Sequence, residues 1–223
     1  NRTAIGCIAD ALTVTGIPSD VLVIKSALPD AETSTANLIL GNVYIASNFQ
    51  MGYLRQFTAD FAAPDLPNIK YWPYRFSAYY IRDSSPTDGN PPTLSRMVLE
   101  WDDTDGMGVI AEDLVEGVEG MRLLYGVESD TDGDPPAFVP EDEVTDWSKV
   151  IAIRVYLLLR NTEPDRSYDD TMTYHMGDVT VTATGGSQLS QDGVPLRHFR
   201  RQVITTTVRL RNRQYIELSA DNI

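Results

Sequence analysis

The sequence predicts an α+β fold that is mainly β and built on antiparallel sheets. Short stretches in which apolar residues stand two apart are separated by turn signals, as at 88–92, 132–136 and 192–193. A period of two is typical of half-buried strands, and frequent tight turns favour antiparallel neighbours over alternating βαβ units. Because neither an internal repeat nor a low-complexity linker is visible, we expect a single domain over residues 1–223.

The candidate strands follow one another along the whole chain. They cover residues 21–24, 38–45, 76–81, 97–101, 121–127, 151–159, 179–183 and 204–210. These segments are rich in Val, Ile, Leu, Tyr and Thr, most of which fit a pleated, half-buried surface. The polar segments between them, such as 162–170 and 185–192, are expected to be surface loops.

The last strand has a clear predicted orientation. Its apolar positions alternate with threonines and arginines, so we expect one set of four residues to face the interior. That set is Ile204, Thr206, Val208 and Leu210.

Helical periodicity is sparse and is clearest at residues 47–61. Four aromatic residues recur there at helical spacing, namely Phe49, Tyr53, Phe57 and Phe61. The same segment fits an irregular loop with pieces of strand, so both interpretations remain open.

The composition excludes several classes of protein. The chain has 32 acidic and 18 basic residues, for a net charge of −14. A field of that sign repels phosphate backbones and anionic lipids, which argues against nucleic-acid and membrane-surface binding. The single cysteine, Cys7, excludes an internal disulfide. Since the chain begins at Asn1, we expect it to be part of a longer protein.

The charge is distributed unevenly. Residues 100–146 contain sixteen acidic residues and one basic residue, whereas residues 197–213 contain six arginines and no acidic residue. One interpretation is two solvated faces, or strands whose opposite charges face each other across a sheet. The other is a dipolar subunit that docks its acidic side on the basic side of a neighbour.

Catalytic patterns are missing from the sequence. There is neither a Gly-x-Ser-x-Gly nucleophile elbow nor a phosphate-binding loop. His175 and His198 have no adjacent nucleophile or carboxylate in a known arrangement, and Cys7 stands outside any motif. We therefore expect a protein that is not an enzyme and has no resident cofactor.

A cluster of acidic residues suggests a weak calcium loop. Asp130, Asp132 and Asp134 occupy positions 1, 3 and 5 of a twelve-residue frame that Glu141 closes. Pro135 stands at position 6, where a glycine normally makes the sharp turn. The alternative is a solvated acidic loop without metal.

Four blocks of sequence, taken in order, resemble the PilW family of minor pilins from bacterial type IV pili. The blocks are SDVLVI at 19–24, LVEGVEGMRLLYGV at 114–127, DWSKV at 146–150 followed by RVYLL at 154–158, and RRQVITTTVRLRN at 200–212. The similarity is strongest over residues 114–213. One departure concerns Cys7, because family members commonly carry a second cysteine that this chain lacks.

The resemblance implies a pilin-like globular head whose N-terminal helix is absent from this chain. That helix would anchor the subunit in the bacterial inner membrane, with the head facing the periplasm, and would later pack into the extracellular pilus. The implied function is to prime pilus assembly and to sit at or near the tip. The implied partners are other minor pilins, the major pilin and a PilY-type tip adhesin.

Two alternative functions remain open. A minor pseudopilin of a type II secretion system would share the fold and differ in its partners. A calcium-dependent adhesive domain would use exposed aromatic residues as a stacking platform for carbohydrate. The candidate aromatic residues are Tyr71, Trp72, Tyr74, Tyr79 and Tyr80.

We predict that calcium binds residues 130–141 weakly or not at all. With an affinity no better than ~10⁻⁴–10⁻³ M, millimolar Ca²⁺ should raise the free energy of unfolding by less than about 1.5 kcal/mol. Calorimetric titration measures this directly, and micromolar binding that disappears in Asp132→Ala would contradict it.

Overall fold

The computed structural model describes residues 17–82, 91–102, 106–129, 135–182 and 196–210, and these residues are mostly β-structure. The strands are β1 Leu22–Ala27, β2 Val43–Ser47, β3 Gly52–Gln56, β4 Lys70–Arg82, β5 Thr93–Asp102, β6 Gly106–Glu116, β7 Val118–Val127, β8 Ala137–Val139, β9 Val150–Arg160, β10 Thr173–Met176, β11 Val179–Thr182 and β12 Arg201–Arg209. Short 3-10 helices lie at Thr35–Asn37, Glu141–Glu143, Trp147–Lys149 and Leu196–His198. Within the described ranges, none of the helices has the length and apolar character needed to cross a membrane.

The chain divides into two compact units. The first comprises Asn1–Val21, Tyr80–Leu94 and Val115–Ile223, and the second comprises Leu22–Tyr79 and Ser95–Leu114. Strands β4, β5 and β6 each contribute residues to both units. The expectation of a single domain therefore stays a prediction.

The second unit is built around the strand order β3-β2-β4-β5-β6, with β1 also paired to β4. Both β1 and β2 run antiparallel to β4. A small core forms where Leu38, Tyr44, Ala46 and Tyr71 pack together with Phe57, Phe61 and Ile69 at its margin. The rings of Phe57 and Phe61 meet edge to face at 5.2 Å.

The first unit contains a four-stranded antiparallel sheet in the order β12-β9-β7-β8. The hairpin of β10 and β11 packs on it, and Leu158, Met176 and Val181 form the buried centre of that contact. The hairpin turn has Gly177 at φ +69°, where a Cβ atom would lie 2.6 Å from Leu124 Cδ1. Glycine is therefore required at this turn.

Most of the predicted strands are confirmed. Segments 76–81, 97–101, 121–127 and 151–159 lie inside β4, β5, β7 and β9, and 21–24 and 179–183 match β1 and β11 closely. The predicted strand 38–45 is wrong in its first half, because β2 begins at Val43.

The helical interpretation of residues 47–61 is wrong, and the interpretation as loop with strand pieces is confirmed. Asn48 ends β2, since its side-chain oxygen accepts hydrogen bonds from the backbone N–H groups of Gln50 and Met51 at 2.9 Å. The chain then returns as β3, which pairs antiparallel with β2. A local side-chain turn of this kind competes directly with helix formation.

The predicted orientation of the last strand is also wrong. Ile204 and Val208 are 46% and 53% exposed, and Leu210 is exposed as well. On the opposite side only the start of β12 is packed, because Val203 contacts the core of Leu158 and Met176 while Thr205, Thr207 and Arg209 are exposed. Because side chains alternate between the two faces of a strand, Arg201 and Val203 share one face and Ile204 and Val208 the other.

Proline substitutions test this register. The N–H of Leu210 donates to the carbonyl of Ile151, and the carbonyl of Arg200 accepts from Asn161, so even-numbered residues of β12 bond to β9. Thr206→Pro removes such a bond, whereas the N–H of Thr205 points away from β9. We expect Thr206→Pro to lower the free energy of unfolding by about 2 kcal/mol more than Thr205→Pro does. Equal losses in urea unfolding would contradict the register.

Candidate interaction surface

The sheet of the first unit has two unlike faces. One face, which we name the packed face, carries Leu124, Leu158 and Val203 and is covered by the β10–β11 hairpin. The other, which we name the open face, carries the alternate residues of β9 and β12. The packed face is held by charges as well as by apolar contacts.

A buried ionic cluster joins β12 to β7 and to the loop before β10. The guanidinium of Arg201 donates to Glu119 and, at 2.9 Å, to Asp170. Arg160 lies 3.7 Å from Glu119 and stacks over Phe199 at 4.2 Å. The side chain of Arg201 is 3% exposed and that of Asp170 is fully buried. Two arginines and two carboxylates thus share one buried site.

The electrostatics of the cluster favour the charged guanidinium of Arg201 and the neutral hydroxyl of Tyr174. Burial alone lowers the pKa of Arg201, but the charge of Glu119 and the hydrogen bonds to Glu119 and Asp170 outweigh it, so the pKa rises. Burial raises the pKa of Tyr174, and its hydroxyl donates to both oxygens of Asp170 at 3.1 Å. Every charge in the cluster has an opposite partner, which is the condition for burying ions.

A second ion group is centred on Arg122 of β7. Arg122 donates from Nε to Asp178 at 2.8 Å and from Nη1 to Asp20 at 3.2 Å. Asp20 also accepts from the backbone N–H of Leu123 at 2.8 Å. The hydrogen bond from Arg122 lowers the pKa of Asp178. These contacts attach both residue 20 and the β10–β11 turn to the central strand.

The arginines near the C-terminus find most of their partners in one loop. Arg197 pairs with Asp169 and Arg200 with Asp165, both at 2.9 Å. Asp165 has a pKa of about 2, because the Ser167 hydroxyl and then Arg200 stabilise its charged form. The loop at 165–170, rather than the acidic segment 100–146, therefore supplies most of the counter-charge, and Glu119 is the exception. The interpretation as solvated or internally paired charges accounts for these arginines.

Arg209 differs from Arg201, the other arginine of β12. It is exposed at the far end of the strand, and it makes no ion pair with any residue in the described part of the chain. Its neighbours on the same side are threonines, and Thr207 accepts a hydrogen bond from Arg154 at 3.3 Å. Within the described ranges, no carboxylate therefore neutralises the positive charge at this end of the sheet.

The open face is apolar and only partly covered. On β9, the residues Ile151, Ile153, Val155, Leu157 and Leu159 are half-buried. Beside them on β12, Ile204, Val208 and Leu210 are exposed. Contiguous exposed apolar surface of this kind marks interaction sites in soluble proteins. The sequence indicates an apolar face through the alternation of apolar residues in both strands. Alternation alone does not tell which face of the sheet is covered.

The second unit contains a polar groove of about 350 Å³. Its lining includes Arg75, Arg96 and Glu112. Arg96 donates from Nε to Glu112 at 3.0 Å, so two of the three charged side chains named here pair with each other.

The candidate calcium ligands are only partly described. Asp130, Asp132 and Asp134 lie outside the described residues, and Glu141 begins an exposed 3-10 helix. Among the residues that the structure does describe, no group of three His, Cys, Asp or Glu side chains could hold a metal ion. The calcium site at 130–141 stays a prediction.

The candidate stacking platform is divided by burial. Tyr71 is 2% exposed and Tyr80 is 1% exposed, so both belong to the interior. Trp72, Tyr74 and Tyr79 are half-buried. The two buried rings are therefore not accessible to a carbohydrate.

Two neighbouring arginines test the buried cluster. Arg201→Met leaves Glu119 and Asp170 buried with one cation fewer, and we expect it to lower the free energy of unfolding by about 3–5 kcal/mol. Arg200→Met is the matched control, because that side chain is 61% exposed and an exposed pair contributes less than about 1 kcal/mol. Urea unfolding of both variants measures the difference. Similar losses would show that the cluster has no special role.

Comparison with known proteins identifies the family. The family model described as Type IV Pilus-assembly protein W matches residues 78–212, which is more than half of the chain. The matched range contains the whole four-stranded sheet and both ion groups apart from Asp20. Neither a curated protein nor a solved structure matches the chain. The chain belongs to the PilW family of type IV pilus assembly proteins.

Proposed function

We propose that this chain is the head of a minor pilin that helps to prime type IV pilus assembly and sits at or near the pilus tip. The family match supports a role in pilus assembly and a pilus-associated location. The observation that carries the finer proposal is the open face, where exposed Ile204, Val208 and Leu210 lie beside an apolar strand. A subunit that works through interfaces needs such a surface.

The energetics favour an interface over a surface that stays in water. Burying apolar surface contributes roughly 25 cal/mol per Å², and the open face adds several branched side chains to one contiguous area. The hairpin already covers the packed face around Leu158 and Val203, and the buried ions beside it are paired with each other. The open face is therefore the part of this sheet that is best suited to a partner.

The complete subunit would include an N-terminal helix. In this proposal the helix holds the protein in the inner membrane with the head in the periplasm, and it later packs into the filament. The partners are other minor pilins, the major pilin and a PilY-type adhesin. The family match favours this role over that of a type II secretion pseudopilin.

Complementation in the native host tests the proposal. Deleting the gene should abolish or strongly reduce surface pili and twitching motility, and the wild-type gene should restore both. Val208→Lys should fail to restore them, because it places a charge on the open face. Since Val208 is already exposed, the variant should keep its free energy of unfolding within about 0.5 kcal/mol of the wild type.

Met172→Lys is the matched control. Met172 is 58% exposed and lies outside the sheet, so the same change in charge leaves the open face intact. We expect this variant to restore piliation fully. Normal pili in the deletion strain, or full restoration by a stably folded Val208→Lys, would overturn the proposal.

A further inference from the structure

In the part of the chain that the structure describes, the outer edge of β12 pairs with no other strand. β12 is the terminal strand of its sheet, and its pairing with β9 runs from Arg201 to Arg209 without a shift. Because even-numbered residues bond to β9, the N–H and C=O groups of Val203, Thr205 and Thr207 point away from it. No described strand pairs with that side. Three residues thus present a regular row of donors and acceptors.

Edges of this kind are normally protected. Natural sheets shorten their edge strands, bend them with bulges, or place Lys and Pro on them. The opposite edge of the same sheet follows this rule, because β8 has three residues and lies between Pro136 and Pro140. β12 has nine residues, with neither Lys nor Pro nor a bulge, and its centre is Val203–Val208 with three consecutive threonines.

The side chains beside the edge define the chemistry of an added strand. On the open face it would lie next to Ile204, Thr206 and Val208, which favours branched apolar residues. On the other face it would lie next to Thr205, Thr207 and Arg209. Since Arg209 makes no ion pair within the described chain, an acidic residue opposite it gains a partner. β12 itself contains no acid, so a second copy of β12 does not supply one.

We propose that β12 binds an extended strand of another pilus protein by β-augmentation, with an acidic residue of that strand opposite Arg209. The identity of the partner class rests on the proposed function. Main-chain hydrogen bonds at Val203, Thr205 and Thr207 provide the attachment, and the alternating side chains provide the specificity.

A synthetic peptide is the first probe. The sequence Glu-Val-Thr-Val-Thr-Val-Thr, paired antiparallel, sets Glu opposite Arg209 and Val opposite Val208, Thr206 and Ile204. Fluorescence anisotropy with the full chain should show binding. Methylating alternate backbone nitrogens of the peptide, so that they cannot donate to β12, should weaken binding about tenfold or more. Replacing Glu by Lys should weaken it about fivefold, and Arg209→Glu should reverse that preference.

Variants of the chain complete the test. Thr205→Pro removes an outward N–H and keeps the bonds to β9, so it should weaken binding about tenfold while circular dichroism and urea unfolding stay close to the wild type. Thr180→Pro is not suitable as a control because Thr180 lies within the β10–β11 ladder. Met172→Lys, outside the sheet, should bind normally.

Three results would overturn the inference. The first is that the peptide does not bind, and the second is that the methylated peptide binds as tightly as the unmethylated one. The third is that the chain forms a dimer in sedimentation experiments and that Thr205→Pro dissociates it. These results are separable from failure of the proposed function. If the gene is required for pili but Thr205→Pro restores them fully and the peptide does not bind, the edge inference alone fails. Normal pili in the deletion strain instead remove the assembly role, whatever the peptide does.

Discussion

The ion pairs of Arg201 constrain how β12 packs on the rest of its unit. Its guanidinium must face Glu119 and Asp170, because a buried arginine without those partners is prohibitively unstable. That requirement sets which side of β12 is packed. Val203 then joins the core with Leu158, while Ile204 and Val208 are turned outward. A buried polar group therefore causes the exposure of an apolar face.

Internally paired charges beside an exposed apolar face are consistent with a pilus assembly protein. The charges that the fold needs are neutralised inside one unit, by the loop at 165–170 and by Glu119. In our proposal, other molecules bind the apolar residues of the open face and the outer edge of β12, with which no described strand pairs. Membership of a pilus assembly family gives a reason for a sheet to keep such surfaces open.

The sequence predicted the class of fold and most strands because alternation is a local property. It also divided the residues of β12 correctly into two alternating sets, one for each face of the strand. It assigned them to the wrong sides, since the usual rule places isoleucine inside and arginine outside. The deciding contacts are distant in sequence, 82 residues from Arg201 to Glu119 and 31 to Asp170. The aromatic spacing at 47–61 misled for a similar reason, because Phe57 and Phe61 meet at the margin of a core in loop conformation.

The carboxylate of Asp165 has a consequence for acidic surroundings. A carboxyl group whose pKa is lower in the folded than in the unfolded state stabilises the native state at any pH above its unfolded pKa. For aspartate the unfolded pKa is about 3.9. The stabilisation is lost as the pH falls through the folded pKa. For Asp165 the folded value is about 2. The carboxylate of Asp165 therefore stays ionised in mild acid. The contact between the 165–170 loop and Arg200 is kept under those conditions.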